Sequence, residues 1–384
     1  MTKIAFNQAD ISEADMEYVR QTISSRSIGG DGAMGKKCEA FLREFHPINY
    51  ALLSTSCTSA LEMTSQILEL ADGDEVIVPS YTFSSTANAF ALSGARPIFA
   101  DVDPNTLNID VESIKAAISS RTRAIVVVHY GGIAADLPSI LDVCRKNNLV
   151  LIEDNAHGLF AKYQGQSLGT FGDLSTLSFH ATKNIVCGEG GALLTNRTEF
   201  MERAMILREK GTDRSKFLRG LVDKYTWVDL GSSWVLSDIL ASLLWSQLQR
   251  FDEIQIKRKH IFETYSKYIS PLAHERGIHT SFIPKDCESS YHLYFLQLQN
   301  ENLRNEFINF MEGKGISAAF HYQPLNTSPQ GLKFGGFVGQ CPIAETAGSC
   351  LVRLPLYSGL KSDELEIIVN AVTQYFSTFN DRIR

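Results

Sequence analysis

Short apolar runs that alternate with helical patterns constrain this chain more than any other feature. The runs lie at 50–54, 76–81, 97–101, 124–130, 150–154, 174–179 and 192–195. Most are continuous rather than alternating, which suits strands buried on both faces. Helical patterns fall between them at 58–70, 86–92, 137–147 and 199–210. Strands alternating with helices predict βαβ units, hence an α/β fold with a mostly parallel central sheet and flanking helices. In such sheets ligands bind beyond the carboxyl ends of the strands. Polar residues collect at those ends: 54–58, 80–84, 129–130, 154–157 and 178–183. Strand ends are often polar for solvation alone, so this marks a candidate site without assigning it.

A long helical stretch at 237–268 is expected to lead into a smaller α+β C-terminal domain. That domain would hold strands near 291–299 and 318–322 and a last helix near 363–376. The expected division is a large domain over 1–250 and a small one over 251–384. The 36 basic and 43 acidic residues leave a formal charge of −7. This balance argues against a general nucleic-acid binder, and no helix-turn-helix or basic tail is appended. Seven cysteines, an odd number with no CxxC pair, suggest free thiols in a reducing compartment. The N-terminus lacks a signal-peptide core, and no apolar run approaches the ~18 residues of a membrane span. A cytoplasmic protein with no membrane partner and no metal is expected.

Four local signals carry chemistry. Residues 178–184 read Ser-Phe-His-Ala-Thr-Lys-Asn and precede the glycine-rich 188–191. A lysine directly after a buried strand has a lowered pKa if it is desolvated, as Schiff-base chemistry requires; the plain alternative is a surface lysine. Asp154 ends an apolar strand, where a carboxylate can hold a proton on a pyridine nitrogen, and His157 follows; the alternative is a helix cap. Small hydroxyl residues after the first strand open a helix, whose free amides and dipole make an anion site. Ser56 and Thr58 add hydroxyls there, or simply cap the helix. Phe83, in the segment 79–83, offers an aromatic cover for a flat ring.

In this order the residues resemble the fold-type I enzymes that depend on pyridoxal 5′-phosphate (PLP), and in detail the DegT-type sugar-nucleotide aminotransferases. The resemblance runs over essentially the whole chain. It rests on SCTSALEM, GDEVIVPSYTFSSTANAF, FADVDPNTLNID, VVHYGG, IEDNAHG, SFHATKN with GEGG, and LVRLPLY. EKGTDRSKFLRGLVDKYTWVDLGSS is similar to the branch that makes dTDP-4-amino-4,6-dideoxygalactose from dTDP-4-keto-6-deoxyglucose for surface polysaccharides. The resemblance implies that Lys183 holds the cofactor and then shuttles the proton, with pyridoxamine 5′-phosphate (PMP) as the alternate cofactor form. It places Asp154 at the pyridinium nitrogen, His157 near the ring and its hydroxyl, and Phe83 on its face. Ser178, Cys57 and Thr58 would bind the phosphate, Cys57 through its backbone. It also implies a homodimer whose sites include the partner's 231–234 loop, with Ser232 and Ser233 reaching the cofactor.

Two residues depart from the common family pattern: Cys57 stands where many members have Gly, and Ser233 where many have Asn. Both look usual in the 4-amino-galactose branch. Related dehydratases lack the lysine that is present here as Lys183. The expected reaction moves the amino group of L-glutamate to the keto sugar. Lys210, Arg214, Arg219 and Lys224, with His321 and Tyr322, are the candidates for gripping the nucleotide sugar. Amination at C3, or at C4 with gluco stereochemistry, remains open. So do a non-catalytic sensor of sugar nucleotides and an amino-acid aminotransferase, which would fix its substrate carboxylate with an arginine.

Overall fold

A computed structural model describes residues 3–377; the last residues of the expected 251–384 unit lie outside it. The seven apolar runs form one sheet: β1 (Tyr50–Ser54), β2 (Glu75–Pro79), β3 (Arg96–Ala100), β4 (Thr122–Val128), β5 (Val150–Asp154), β6 (Leu174–Ser178) and β7 (Gly191–Thr195). Their spatial order is β1-β7-β6-β5-β4-β2-β3. The neighbours from β6 through β3 pair in parallel, whereas β7 runs antiparallel to both β6 and β1. The reversal has a simple cause. Residues 179–190 hold no helix, and a parallel return needs a crossover of a dozen or more residues, usually helical.

Both faces of the sheet are covered, as the continuous apolar runs predicted. Val76, Val78 and Val126 pack with Leu61, Met63 and Phe90 on one face. Ile77, Ile125 and Val127 pack with Ile114, Leu137 and Ile140 on the other. At the β1–β7 edge, Leu53 and Leu194 meet Leu42 and Leu248. Alternate strand residues thus face opposite helix layers, each apolar enough to bury.

The expected continuous helix over 237–268 is two helices, Asp238–Gln249 and Phe251–Tyr268. They meet at Arg250, which sits at φ −109° and ψ 13°. Its guanidinium donates to Asp15 Oδ2 at 3.0 Å and to Asp10 Oδ1 at 3.3 Å. The break lets Leu248, Phe251 and Ile254 all reach the same core. Farther along lies an antiparallel sheet of β8 (His279–Thr280), β9 (Tyr294–Gln297), β10 (Ala319–Phe320) and β11 (Leu351–Leu354) in the order β8-β9-β11-β10. It packs with the helices Glu301–Gly313 and Ser362–Ser377 around Phe307, Ile368 and Tyr375.

Candidate active site

The carboxyl ends of β1, β5 and β6 open into one cavity of about 840 Å³, closed on its far side by β10 and β11. Lys183, Asp154, His157, Ser56, Cys57, Thr58, Ser178, Phe83, His321 and Tyr322 all line it.

The wall beside β1 is a helix N-terminus. Ser56 caps the helix Cys57–Ile67, its hydroxyl accepting from the Ser59 amide at 3.0 Å while Ser59 Oγ accepts from the Ser56 amide at 3.0 Å. The capping alternative for Ser56 is therefore realised. The amides of Cys57 and Thr58 have no intrahelical acceptor, as at any helix start, and face a position suited to an anion. Thr58 Oγ1 lies 2.8 Å from Ser85 Oγ. Gly191, first in β7, pairs with Ser54 on one side and Ser178 on the other. A Cβ there would stand 2.3 Å from the Ser56 carbonyl carbon and 2.4 Å from the Cys57 nitrogen. Only glycine lets this strand pass the helix start so closely.

The cavity floor separates two neighbouring acids of β5. Glu153 points away: its carboxylate accepts from the Gly169, Phe171 and Gly172 amides at 2.7–2.8 Å and lies 2.9 Å from His129 Nε2. Burial pushes its carboxyl up, but His129 and the amides outweigh that and hold it below its ordinary value. Asp154 faces the cavity with fewer partners. Its Oδ2 accepts from Thr86 Oγ1 at 2.8 Å and its Oδ1 from the Ala156 amide at 3.2 Å. Burial raises this carboxyl's pKa, against the pull of Thr86 and of Lys183. A buried, under-partnered carboxylate is stabilised by any cation placed before it, including a protonated ring nitrogen.

Lys183 sits on the loop after β6, its amide donating to the His180 carbonyl at 2.9 Å. Burial lowers its pKa, while Cys57 and Asp154 oppose the shift. His157 accepts from the Gly131 amide at Nδ1, 3.3 Å, so its neutral form carries the proton on Nε2, which lies 3.3 Å from Tyr322 Oη. Burial depresses its pKa well below the ordinary value. His292 stacks on it at 4.2 Å between centroids. His321 presents Nδ1 to Tyr130 Oη at 2.9 Å. Phe83 is exposed toward the opening, 6.3 Å from the Tyr322 ring.

The remaining candidates stand elsewhere. Lys210, Arg214, Arg219, Lys224, Ser232 and Ser233 do not line the cavity of their own chain. Lys210 and Arg214 pair with Glu209, and Arg219 donates to the Ser215 carbonyl. All six belong to a projecting segment that exposes Leu218, Leu221, Trp227 and Leu230.

Sequence reasoning missed Thr86, His292, Phe6 and Arg353, each of which lines the cavity. Thr86 carried no signal beyond a hydroxyl near a strand end. Arg353 did: a charge inside the apolar run LVRLPLY is unusual in a buried strand. The assembled site has an anion cradle, a buried carboxylate and a lysine whose pKa burial lowers, around one cavity. These are the groups needed to hold a phosphorylated pyridine aldehyde by its phosphate, ring nitrogen and carbonyl carbon.

A sequence model of the DegT/DnrJ/EryC1/StrS aminotransferase family matches residues 9–373. The chain is similar to the spore coat polysaccharide biosynthesis protein SpsC of Bacillus subtilis, 32% identical with 94% of each protein covered. It is also similar to the dTDP-4-dehydro-2,3,6-trideoxy-D-glucose 4-aminotransferase of Saccharopolyspora spinosa, 31% identical, with 96% of this chain and 95% of the relative covered. Among solved structures, Spr1654 of Streptococcus pneumoniae superposes in its PMP-form with a TM-score of 0.91 and in its PLP-form with 0.90. Identity is 27%, and each comparison covers 98% of this chain and 99% of that one.

Proposed function

The chain belongs to the DegT/DnrJ/EryC1/StrS aminotransferase family and is a sugar aminotransferase, and on that basis we propose that it uses PLP to transfer the amino group of L-glutamate to C4 of dTDP-4-keto-6-deoxy-D-glucose. The products are dTDP-4-amino-4,6-dideoxy-D-galactose and 2-oxoglutarate, the former for surface polysaccharide synthesis in the cytoplasm. The observation that carries this reading is the convergence of Lys183, Asp154 and the Cys57–Ile67 helix start on one cavity. The similarity to a 4-aminotransferase of a dTDP-linked keto sugar supports the choice of C4 and of the nucleotide.

PLP, when bound, supplies an electron sink for the carbon that loses or gains a proton. The protein supplies the rest. The Cys57 and Thr58 amides, with the Ser56, Thr58 and Ser178 hydroxyls beside them, hold the phosphate. Asp154, oriented by Thr86, keeps the proton on the ring nitrogen. Phe83 would cover the ring, and His157, 3.3 Å from Tyr322 Oη, would sit near the ring and its hydroxyl. Lys183 Nζ, with its lowered pKa, would hold the cofactor's carbonyl carbon and would carry a proton to and from the substrate carbon. In the complete turnover L-glutamate loses its amine and its Cα hydrogen, and the sugar carbonyl becomes an amine-bearing carbon.

The projecting 209–234 segment supports a homodimer. Trp227 and Leu230 are 74% and 70% exposed, a patch suited to a second copy. In this reading Ser232 and Ser233 serve the partner's cavity, and Lys210, Arg214, Arg219 and Lys224 meet the diphosphate there, opposite His321 and Tyr322. In the same reading the large unit spans 1–250 and the small unit 251–384.

The test is NMR of the product after incubation with PLP, L-glutamate and dTDP-4-keto-6-deoxyglucose. An axial C4 amine is expected. An equatorial amine moves the product to the gluco series, and amination at C3 changes the position. No amination by a protein that still binds PLP in a borohydride-sensitive form removes this substrate.

A further inference from the structure

An arginine enters the cavity from the wall opposite the phosphate cradle, and it has no acidic partner among the described residues. Arg353 lies in β11 and lines the cavity. Its Nη2 donates to the Phe320 carbonyl at 3.1 Å, its Nε is buried without a partner, and its guanidinium carbon lies 4.6 Å from the centre of the Phe6 ring. The groups that favour its charge are the phenols of Tyr130, Tyr322 and Tyr81, with no carboxylate among them. Among the described residues, Arg208 pairs with Asp31 and Glu39 although its Nε too lacks a partner, and Arg258 donates to two backbone carbonyls, whereas no carboxylate meets Arg353. A half-buried guanidinium is stabilised by an anion or acceptors that meet it, and its planar fork matches a carboxylate in two-point contact.

We propose that Arg353 binds the α-carboxylate of the amino donor. This rests on the PLP and L-glutamate reading above. Two anions visit the cavity in that reading, the donor's carboxylate and the diphosphate of the sugar nucleotide. Distance along the bonds separates them. The carboxylate is attached to the carbon that bears the reacting amine, so it must lie near Lys183. The diphosphate hangs from C1, across the sugar ring from C4. Arg353 lines the same cavity as Lys183, His157 and His321, and its charge helps lower the pKa of all three. The cofactor's phosphate has its own cradle at the Cys57–Ile67 helix start, on the other wall. The Phe6 ring covers a face of the guanidinium and leaves its N–H edge as the surface for a planar anion.

The two half-reactions separate these roles, because each changes the cofactor's absorbance. Single-turnover measurements on Arg353→Gln should show the L-glutamate concentration for half-maximal rate raised by about 10- to 100-fold, the loss of a charge-assisted two-point contact. The reaction of the PMP-loaded variant with the keto sugar should saturate as in the wild type. Arg353→Lys should recover part of the donor affinity, since it keeps the charge without the fork. Unchanged PMP affinity and melting temperature in both variants show that the cavity is intact. Calorimetric binding of glutarate, a dicarboxylate without a reacting amine, should weaken in parallel in Arg353→Gln. Wild-type saturation by L-glutamate and glutarate in that variant overturns the assignment. So does a larger loss in the sugar half-reaction, which gives Arg353 to the diphosphate. If the wild type shows no absorbance change with L-glutamate, the parent reading fails, and the glutarate measurement alone decides whether Arg353 holds a carboxylate.

Discussion

Replacing Gly191 with alanine tests the phosphate cradle at the place where it is tightest. The added Cβ would stand 2.3 Å from the Ser56 carbonyl carbon, 2.4 Å from its oxygen and 2.4 Å from the Cys57 nitrogen. Non-bonded atoms settle near ~3.5 Å or beyond, so β7 or the helix start must retreat by about 1 Å. Those neighbours are backbone, and Gly191 is held on both sides by strand pairing to Ser54 and Ser178, so the strain has no flexible side chain to absorb it. Overpacking of this kind costs about 1–3 kcal/mol. Moving the Cys57 and Thr58 amides by that distance breaks roughly one charge-assisted hydrogen bond to a phosphate, about 1.5–3 kcal/mol. PMP affinity should therefore fall by about 10- to 100-fold, with a lower melting temperature of the cofactor-free protein. The assay is fluorescence or absorbance titration with PMP, which forms no covalent link to Lys183. Gly29→Ala is the control, since its Cβ would meet nothing within 4 Å, and it should bind as the wild type does. If Gly191→Ala binds PMP with wild-type affinity, the phosphate does not sit on this helix start.

Three further outcomes follow from the same geometry. Lys183→Ala should retain PMP binding and lose at least ~10²-fold in turnover, the lower range of general acid–base catalysis; near-normal turnover would remove Lys183 from the chemistry. Burial lowers the pKa of His46 from 6.5 to about 4, so between those values the unfolded chain binds the proton that the folded one refuses. Stability should thus fall as pH drops from 6.5 toward 4, by about 1.4 kcal/mol per pH unit for this group. Asp154, with its raised pKa, acts in the opposite sense. His46→Leu should flatten the slope seen in melts across that range, and an unchanged slope would refute the assignment. Trp227→Glu should shift sedimentation from dimer to monomer and abolish turnover while each chain stays folded; a persistent dimer would place the interface elsewhere.

Much of this site was legible because its determinants are local. A strand buried on both faces writes a continuous apolar run whatever its neighbours are. Hence the runs at 50–54 and 150–154 coincide with β1 and β5, and the others differ from their strands by one or two residues at either end. The polar residues at their ends share an edge because parallel strands must, which brought Ser56, Asp154, Ser178 and Lys183 to one cavity. The choice of Asp154 over Glu153 was also readable, since neighbouring strand residues face opposite ways and the acid at the strand's end is the one left to face a ligand.

What the sequence could not supply was the identity of partners distant along the chain. That Thr86 orients Asp154, that Gly191 lies against Ser56, and that Arg353 lines the same cavity as Lys183 are juxtapositions of segments that have no local reason to meet. The break at Arg250 has the same origin. Helical periodicity continues through it, and the carboxylates of Asp10 and Asp15, brought in from the N-terminal segment, join Glu253 in holding the guanidinium where the helix turns. Propensity and pattern act over a few residues, so they determined the strands, the helices and the edge where the site lies. Which charges face one another across that site was decided by packing, because a buried charge is settled by whatever the fold places beside it.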